Sequence, residues 1–390
     1  MFKKNTLVIL VVLALVIGAC APAATQTAAP AANDQPANNS TTPVEITVWD
    51  FYGDTTPIKP LLAAFEAANP GIKVNFVAVG WDAFWQKLPI AIANHDVPDL
   101  ITTGLMWAPE YKVSGAYLDL MPLSNGLLNG QPFDQVLPKG SLDAARDGNK
   151  VYGIPYDLDA YGYYYRSDLF TAAGIQEIPN NWTDLAAALA KVSDPANDVY
   201  GLEFDTGWYS WDPFLYYFGG EYIDQNGKAV FNSPEAVASI QFMKKLVADK
   251  TAVVWTKDRG DLTSGIKAGT IASFYNGPYM MGVVRTGAPE LSGKWNIAML
   301  PTEGGEAFGT HIGGVHLSIM ADAKHPSEAW KLMEFLFQQK NQVAVYKTSG
   351  AVPGLLAAMD DPELNAPDPY FNNQAPISIF KDTASMGRPN

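Results

Sequence analysis

VYGIPYDLDAYGYYYR, residues 151–166, is the stretch around which the rest of the chain is organised. Within it, Asp157, Asp159 and Tyr161 alternate with apolar residues, so in an extended strand their side chains share one face. That face predicts one wall of a binding site. The alternative is an ordinary edge strand whose carboxylates are solvated.

The end of the same stretch, residues 163–166, has the aromatic composition of a second strand. A helix is predicted to follow at once, near Asp168. The stretch therefore predicts a crossing between two domains that leads directly into a new α/β unit.

Length and composition fit a globular protein of two domains. The chain has 390 residues, of which 48% are hydrophobic, and one hydrophobic core seldom serves so many. Its formal net charge is −14. This acidic balance disfavours a nucleic-acid partner or an anionic membrane surface. Cys20 is the single cysteine, which excludes a disulfide framework and a paired-cysteine metal site.

The N-terminus predicts export and lipidation. Two lysines precede an apolar run that is too short to span a bilayer comfortably, and Ile17-Gly-Ala-Cys20 follows. This motif resembles the bacterial lipobox, which implies a signal peptide over residues 1–19 and lipidation of the Cys20 thiol. Residues 20–43 lack the apolar side chains of a core and predict a flexible tether. As a coil, this segment spans roughly 27 Å.

Order is predicted from Val44, where strands and helices alternate in a β-α-β-α-β pattern typical of a sheet covered by helices. Ligands of open α/β sheets bind beyond the carboxyl ends of the strands. Trp49, Asp50 and Trp107 come at the ends of predicted strands. They are therefore candidate ligand-binding residues, although core packing explains each tryptophan equally well.

Later aromatics extend the candidate site. Trp208 and Trp211 are three residues apart, and a glycine-rich approach to Trp208 suggests a loop tip, so one of the two is expected to form a ligand platform. Asn276-Gly-Pro-Tyr279 is a turn that brings Tyr279 to a strand end. A further β-α unit after residue 313 suggests that the chain crosses between the domains more than once.

Motifs of catalysis and metal binding are absent from the sequence. HExxH, GxSxG, GxGxxG and Walker patterns do not occur, and the four histidines lack zinc-ligand spacing. Asp157 and Asp159 could act as glycosidase carboxylates, but on one strand they lie about 7 Å apart on the same side rather than flanking a bond. The tyrosines at 163–165 could suggest a ferric site, yet they lack histidine and carboxylate partners. We predict neither an enzyme nor a resident cofactor or metal.

Several segments together resemble the extracellular solute-binding proteins of ABC transporters, in the carbohydrate-binding branch akin to maltose-binding protein. The segments are PYDLDAYGYYYRSDLFTAAGI at 155–175, NWTDL at 181–185, ITVWDFYG at 46–53, WQKLPIAIANHDVPDL at 85–100, KAGTIASFYNGPYMM at 267–281, IAMLP at 297–301 and GGVHLSI at 313–319. Each motif is loose by itself, and their order along the chain makes the resemblance specific.

The resemblance implies the α/β, two-lobed periplasmic-binding-protein fold of type II. The implied lobes are 44–152 plus 309–357, and 153–308 plus 358–390. Similar proteins often have a larger aromatic ligand contact after Gly313-Gly314, where this chain has Val315 and His316, and His316 is the candidate. Similar proteins continue beyond an Arg-Pro like Arg388-Pro389, so a truncated C-terminus is expected.

The resemblance further implies capture of a neutral sugar or oligosaccharide by hinge closure and delivery to an ABC permease. Aromatics would stack on sugar faces, while the aspartates and Asn276 would take the hydroxyls. The protein is expected to act as a monomer, anchored to the cell envelope by its lipid alone and without a nucleic-acid partner. A peptide, a polyamine or a phosphorylated polyol stays open as the solute, and an adhesin or scaffold is a further alternative.

Overall fold

Five strands from distant parts of the chain form the first sheet of the computed structural model, which describes residues 43–53, 56–104, 110–224, 226–303, 311–386 and 388–389. In spatial order the strands are Ile72–Ala78, Val44–Asp50, Leu100–Thr103, His316–Ile319 and Ile154–Pro155. The first three are parallel, and each of the last two is antiparallel to its neighbours. Leu100–Thr103 is buried along its whole length, as expected for a central strand with both faces covered.

The second sheet has Gly162–Arg166 at its centre, flanked by Ser273–Asn276 and Trp295–Ala298, and all three strands are antiparallel. Tyr163 and Tyr164 are both fully buried, and they pack into different cores on opposite faces of this sheet. The aromatic composition that predicted this strand therefore reflects burial on both sides.

A third, four-stranded sheet carries the chain between the other two. Its order is Val352–Pro353, Asp157–Ala160, His311–Gly313 and Arg388–Pro389. The chain leaves the first sheet after Ile154–Pro155, runs through Asp157–Ala160 and enters the second sheet at Gly162. It returns through His311–Gly313 to His316–Ile319 in the first sheet. The prediction of more than one crossing is confirmed.

Two glycines allow these segments to pack closely. Gly314 has φ +131°, and a Cβ there would lie 2.3 Å from the carbonyl oxygen of Asp157. A Cβ at Gly354 would lie 1.8 Å from the carbonyl oxygen of Pro155. Larger residues at either position would push the crossing segments apart.

Helices cover the faces of the sheets. The α-helices are Lys59–Ala68, Trp81–Ala93, Glu110–Val113, Met121–Ser124, Phe133–Val136, Lys139–Ala144, Ser167–Ala172, Trp182–Val192, Asp212–Tyr217, Pro234–Ala248, Leu262–Ala268, Met280–Gly287, Pro326–Leu336, Gln339–Ser349, Leu356–Met359 and Pro376–Met386. Short two-stranded pairs are Leu202–Phe204 with Ala252–Val254, Leu127–Leu128 with Gln131–Pro132, and Arg146–Asp147 with Lys150–Val151. Within the described ranges, no helix has the length and apolar character that a bilayer crossing requires.

The passages between the first and second sheets lie a few residues away from the lobe boundaries that the sequence predicts. Ile154 and Pro155 still belong to the first sheet, so the passage between the sheets begins near Tyr156 rather than at residue 153. Val352 and Leu355, which were assigned to the N-terminal lobe, pack with Phe371 and Phe380 in a core of the second sheet. The difference arises because the helix Gln339–Ser349 contributes to both cores.

Candidate ligand-binding cavity

A cavity of about 990 Å³ lies between the first sheet, the crossing strand and the second sheet. Its lining contains residues from all three regions and is rich in aromatic rings. The lining residues are Phe51, Tyr52, Trp81, Trp85, Glu110, Tyr111, Asp157, Leu158, Asp159, Tyr161, Tyr209, Asn276, Pro278, Tyr279, Val283, Gly314, Val315 and Ala351.

One wall consists of aromatic rings that hold one another in place, and we call Phe51, Trp81, Trp85 and Tyr111 the aromatic wall. Trp81 and Trp85 meet edge to face with their centroids 5.4 Å apart, and Phe51 meets Trp81 in the same way at 5.2 Å. Trp85 stacks on Tyr111 at 6.2 Å and 20°. Trp81 is 51% exposed, so the wall presents a broad apolar face to the cavity.

The local sequence explains the position of this wall. Phe51 directly follows the parallel strand Val44–Asp50, and Trp81 begins the helix after the parallel strand Ile72–Ala78. Both therefore lie beyond the carboxyl ends of parallel strands, where ligands of such sheets bind. Trp81 and Trp85 are four residues apart, which puts them on one face of the helix.

The opposite wall is polar and comes from the end of strand Ser273–Asn276. We call Asn276, Tyr279 and Tyr161 the polar wall. The Asn276 Oδ1 accepts hydrogen bonds from the Gly277 N–H and the Tyr279 hydroxyl, both at 2.8 Å. Both bonds use the oxygen, which leaves the amide NH₂ for a ligand. Tyr279 is 45% exposed and offers a ring face as well.

Asp157 lies at the base of the cavity and is bonded to the protein through both oxygens. Its Oδ2 accepts from the Tyr52 hydroxyl at 2.7 Å, and its Oδ1 accepts from the Val315 N–H at 2.8 Å. Burial raises its pKa to about 6, although these two hydrogen bonds act in the opposite direction. Asp157 thus joins the crossing strand to the loop after the first strand and to the returning segment.

Asp159 differs from its neighbour because no hydrogen bond from a described residue reaches it. Its Oδ1 is buried and unpaired among these residues, next to Gly277, where a Cβ would lie 1.7 Å from it. Burial, and then the charge of Asp157, raise the pKa of Asp159 to about 7. Of the two aspartates in the lining, Asp159 is therefore the one without a protein donor among the residues described.

Five of the predicted ligand-binding residues line the cavity. These are Asp157, Asp159, Tyr161, Asn276 and Tyr279. The alternation of polar residues in the opening stretch does place three side chains on one side of the crossing strand.

Asp50 and Trp49 are placed elsewhere. Asp50 is fully buried, and its oxygens accept from the Tyr52 N–H and from the Thr56 hydroxyl, each at 2.6 Å. Burial raises its pKa to about 6. Asp50 therefore shapes the loop that carries Phe51 and Tyr52 instead of lining the cavity. Trp49 packs, half-buried, against a core of the first sheet.

Trp211 and His316 also lie outside the lining. The Trp211 indole N–H donates to the Ser239 hydroxyl at 2.7 Å, on the helix Pro234–Ala248. His316 is fully buried, and its Nε2 lies 2.9 Å from the carbonyl oxygen of Ser141. Burial lowers its pKa to about 4. Val315, one residue earlier and between the two strands, lines the cavity instead.

Three predicted residues fall outside the described part of the chain. Trp107 and Cys20 are not described, and for Trp208 the structure gives only the backbone, in the 3₁₀ turn Trp208–Ser210. The predicted signal peptide and tether lie in the same undescribed N-terminal region.

The sequence interpretation missed other lining residues, namely Tyr52, Trp81, Trp85, Tyr111 and Tyr209. A signal for two of them was present. Trp81 and Trp85 follow a predicted parallel strand at helical spacing, which is the same argument that selected Trp49. Among the described residues, no group of three or more His, Cys, Asp or Glu could hold a metal ion.

Comparison with known proteins assigns the chain to a family. Residues 52–343 match the family described as bacterial extracellular solute-binding protein. The chain belongs to this family. A binding protein of Brucella abortus (strain 2308) is 29% identical to this solute-binding protein over 344 residues, which cover 86% of this chain and 80% of the relative. The lactose-binding protein of Rhizobium radiobacter is 23% identical, over 87% of this chain and 81% of its own.

Solved structures show the same fold. The sugar-binding protein MalE of Xanthomonas citri superposes with a TM-score of 0.74 and 22% identity, over 88% of this chain and 86% of its own. An ABC transporter associated binding protein of B. animalis subsp. lactis, in complex with β-1,6-galactobiose, gives a TM-score of 0.71 and 25% identity, over 88% and 86%. The predicted two-lobed α/β fold is confirmed.

The family also settles the class of function. The chain is an extracellular solute-binding protein of the kind found in ABC transporters and not an enzyme, and it works outside the cytoplasm. The prediction of a binding protein is confirmed.

Proposed function

We propose that this solute-binding protein captures a sugar or oligosaccharide without negative charge between its two lobes. The observation that carries the proposal is the cavity itself, in which the aromatic wall faces a polar wall. Rings bury the apolar C–H face of a pyranose, and carboxylate and amide groups bond its hydroxyls. Relatives named as lactose-binding and diacetylchitobiose-binding proteins support the same class of solute.

Capture proceeds by closure about the crossing segments. The passage near residues 156–161 and the return at 311–315 are the connections at which we propose that the lobes bend. The predicted lobe boundaries shift accordingly, to residue 155 for the first crossing. A ligand that contacts both walls favours the closed state by its differential affinity for the two states, and the permease recognises that state.

The protein reaches its permease from a lipid anchor. Ile17-Gly-Ala-Cys20 supports cleavage before Cys20 and lipidation of its thiol, and residues 21–43 would then tether the binding domain to the membrane. Mass spectrometry of the mature protein from a bacterial host should find a diacylglyceryl group on Cys20, and Cys20→Ser should release unlipidated protein. A mature N-terminus at any other residue would contradict the anchor.

A thermal-shift screen of mono- and oligosaccharides tests the function. At least one saccharide should raise the melting temperature, and chromatography should recover it intact after long incubation. Hydrolysis of the saccharide would favour a glycosidase. If no saccharide shifts the melting temperature while a peptide or a polyamine does, the sugar assignment is wrong.

A further inference from the structure

The charged side chains of the described cavity lining are all acidic. The ionisable acids of the lining are Glu110, Asp157 and Asp159, and among the described residues no lysine, arginine or histidine lines the cavity. Within the described lining, a ligand therefore meets carboxyl groups and no lysine, arginine or histidine.

The nearby cation is directed away from the ligand space. Lys112 follows the lining residue Tyr111, but its ammonium group donates to the carbonyl oxygens of Ala144 and Arg146 at 2.9 and 3.0 Å. Its ammonium group therefore bonds backbone carbonyl oxygens and not an acid of the described lining.

Of the two aspartates in the described lining, Asp159 is the one that is able to accept a hydrogen bond from a ligand. Both oxygens of Asp157 are engaged by Tyr52 and Val315, whereas the buried Oδ1 of Asp159 has no partner among the described residues. Tyr279 lies beside the Asp159 Oδ1, because a Cβ at Gly277 would be 1.7 Å from that oxygen and 3.0 Å from the Tyr279 ring, and Tyr161 lies two residues after Asp159 in the chain. Both rings also line the cavity.

We propose that the saccharide carries a basic nitrogen, whose ammonium group pairs with Asp159 and lies against the rings of Tyr161 and Tyr279. The inference rests on the proposed function and narrows its substrate class to amino sugars or other amine-bearing saccharides. A cation near aromatic faces is attracted by their quadrupoles. A hydrogen bond between an ammonium and a carboxylate is about twice as strong as a bond between neutral groups.

A neutral hydroxyl would satisfy this site less completely. It can donate one hydrogen bond to Asp159, but it leaves the buried charge without a counter-charge. An ammonium group supplies both the hydrogen bond and the opposite charge. The cavity should therefore discriminate between saccharides that differ only by an amine in place of a hydroxyl.

Isothermal titration calorimetry with matched ligands tests the inference. The first set shares one β-1,4 backbone and comprises the glucosamine disaccharide, cellobiose and diacetylchitobiose. The second set comprises glucosamine and glucose, and the third comprises acarbose, which contains an amine, and maltotetraose. In at least one set the amine should bind to the purified full-length protein at least tenfold more tightly than its hydroxyl counterpart. In the first set the uncharged acetamide should bind no better than the hydroxyl.

The variant Asp159→Asn tests whether Asp159 causes the preference for the amine-bearing saccharide. It keeps the shape and removes the charge, so the amine should lose its tenfold advantage while the hydroxyl compound loses no more than about threefold. Asp96→Asn removes an exposed acid outside the lining and should leave the preference intact. A melting curve confirms folding, and the acetamide comparison needs no variant at all.

Three results would overturn the inference. If the hydroxyl compound binds as tightly as the amine in every set that binds, the protein does not distinguish the charged ligand from the uncharged one. The inference is then wrong, and the sugar function stands. If Asp159→Asn weakens amine and hydroxyl compounds equally, Asp159 accepts a hydroxyl instead. If no member of any set binds, the saccharide proposal fails together with this inference.

Discussion

Different interactions hold the two walls of the cavity in place. On the aromatic wall, Trp81, Trp85 and Tyr111 are held by ring contacts with one another, with centroids 5.4 and 6.2 Å apart. On the polar wall, Asn276 and Tyr279 are held by a hydrogen bond that also fixes the amide oxygen. The first wall offers non-directional apolar area, and the second offers donors and acceptors with defined directions.

This contrast separates affinity from selectivity. Burial of apolar surface contributes about 25 cal/mol per Å² whatever the orientation of the sugar, so the aromatic wall should determine how tightly any pyranose binds. Hydrogen-bonding groups reject ligands that leave them unpaired, so the polar wall and Asp159 should set which sugar binds. Substitutions on the two sides should therefore have effects of different kind and size.

Truncation of the aromatic wall should have the largest effect. Trp85→Ala removes the ring that contacts Phe51, Trp81 and Tyr111, so we expect the saccharide affinity to fall at least 100-fold, or roughly 3 kcal/mol. Calorimetry with a saccharide that binds the unmodified protein measures this loss. Ile90→Ala is the matched control on the same helix, where Ile90 is 62% exposed and outside the lining. An affinity within threefold of the original for Trp85→Ala would remove the wall from the site.

Loss of Asp157 should reduce stability through the crossing segments. Asp157→Ala deprives the Val315 N–H and the Tyr52 hydroxyl of their acceptor, which should lower the free energy of unfolding by about 2 kcal/mol. Tyr52→Phe removes only one of the two bonds and should cost about half as much. Urea denaturation measures both. Equal stability of Asp157→Ala and the unmodified protein would show that these bonds do not hold the crossing together.

Replacement of Asp159, two residues further along the same strand, should raise the free energy of unfolding instead of lowering it. Its folded pKa of about 7 lies above the ordinary value of 3.8, so the folded state keeps a proton that the unfolded chain has already lost. Burial of the charge therefore destabilises the native state as the pH rises from about 4 through about 7. Asp159→Asn replaces the carboxyl group by an amide that carries no charge at any of these pH values. The substitution should therefore stabilise the unliganded protein at pH 8 and should hardly change its stability at pH 4.

The quantity to measure is the difference in the free energy of unfolding between Asp159→Asn and the unmodified protein. His316, whose pKa burial lowers to about 4, titrates in both and cancels from the difference. Urea unfolding of both proteins at several pH values between 4 and 8 gives the profile. A gain that is the same at every pH would mean that the Asp159 carboxyl is solvated in the native state.

Local signals in the sequence predicted the elements well. Asn181 and Ser233 are residue types that favour helix N-caps, and their side chains accept from the Asp184 and Ala236 N–H groups. The segment GGVHLSI at 313–319 does not form one continuous strand, because Gly314 adopts a positive φ where it packs on Asp157. That contact joins residues far apart in the chain, so no local pattern could show it.

The orientation of side chains was harder to predict than the elements. His316 was chosen from the resemblance, but the neighbouring Val315 lines the cavity and His316 is buried. One of Trp208 and Trp211 was expected to form a ligand platform, but the Trp211 indole follows a 3₁₀ turn and donates to Ser239. The composition of the site was predicted from the sequence, whereas the choice among neighbouring aromatics depends on tertiary packing.

The smallest effect should come from the polar wall when its ring is kept. Tyr279→Phe removes the hydroxyl that donates to the Asn276 Oδ1 at 2.8 Å, but it leaves the 45% exposed ring in place for stacking. The Asn276 oxygen keeps its bond from the Gly277 N–H, so we expect affinity to fall by only about threefold. Tyr279→Ala removes the ring as well and should cost at least tenfold in calorimetry. If both variants lose affinity equally, the hydroxyl rather than the ring of Tyr279 meets the ligand, and stacking would be confined to the aromatic wall.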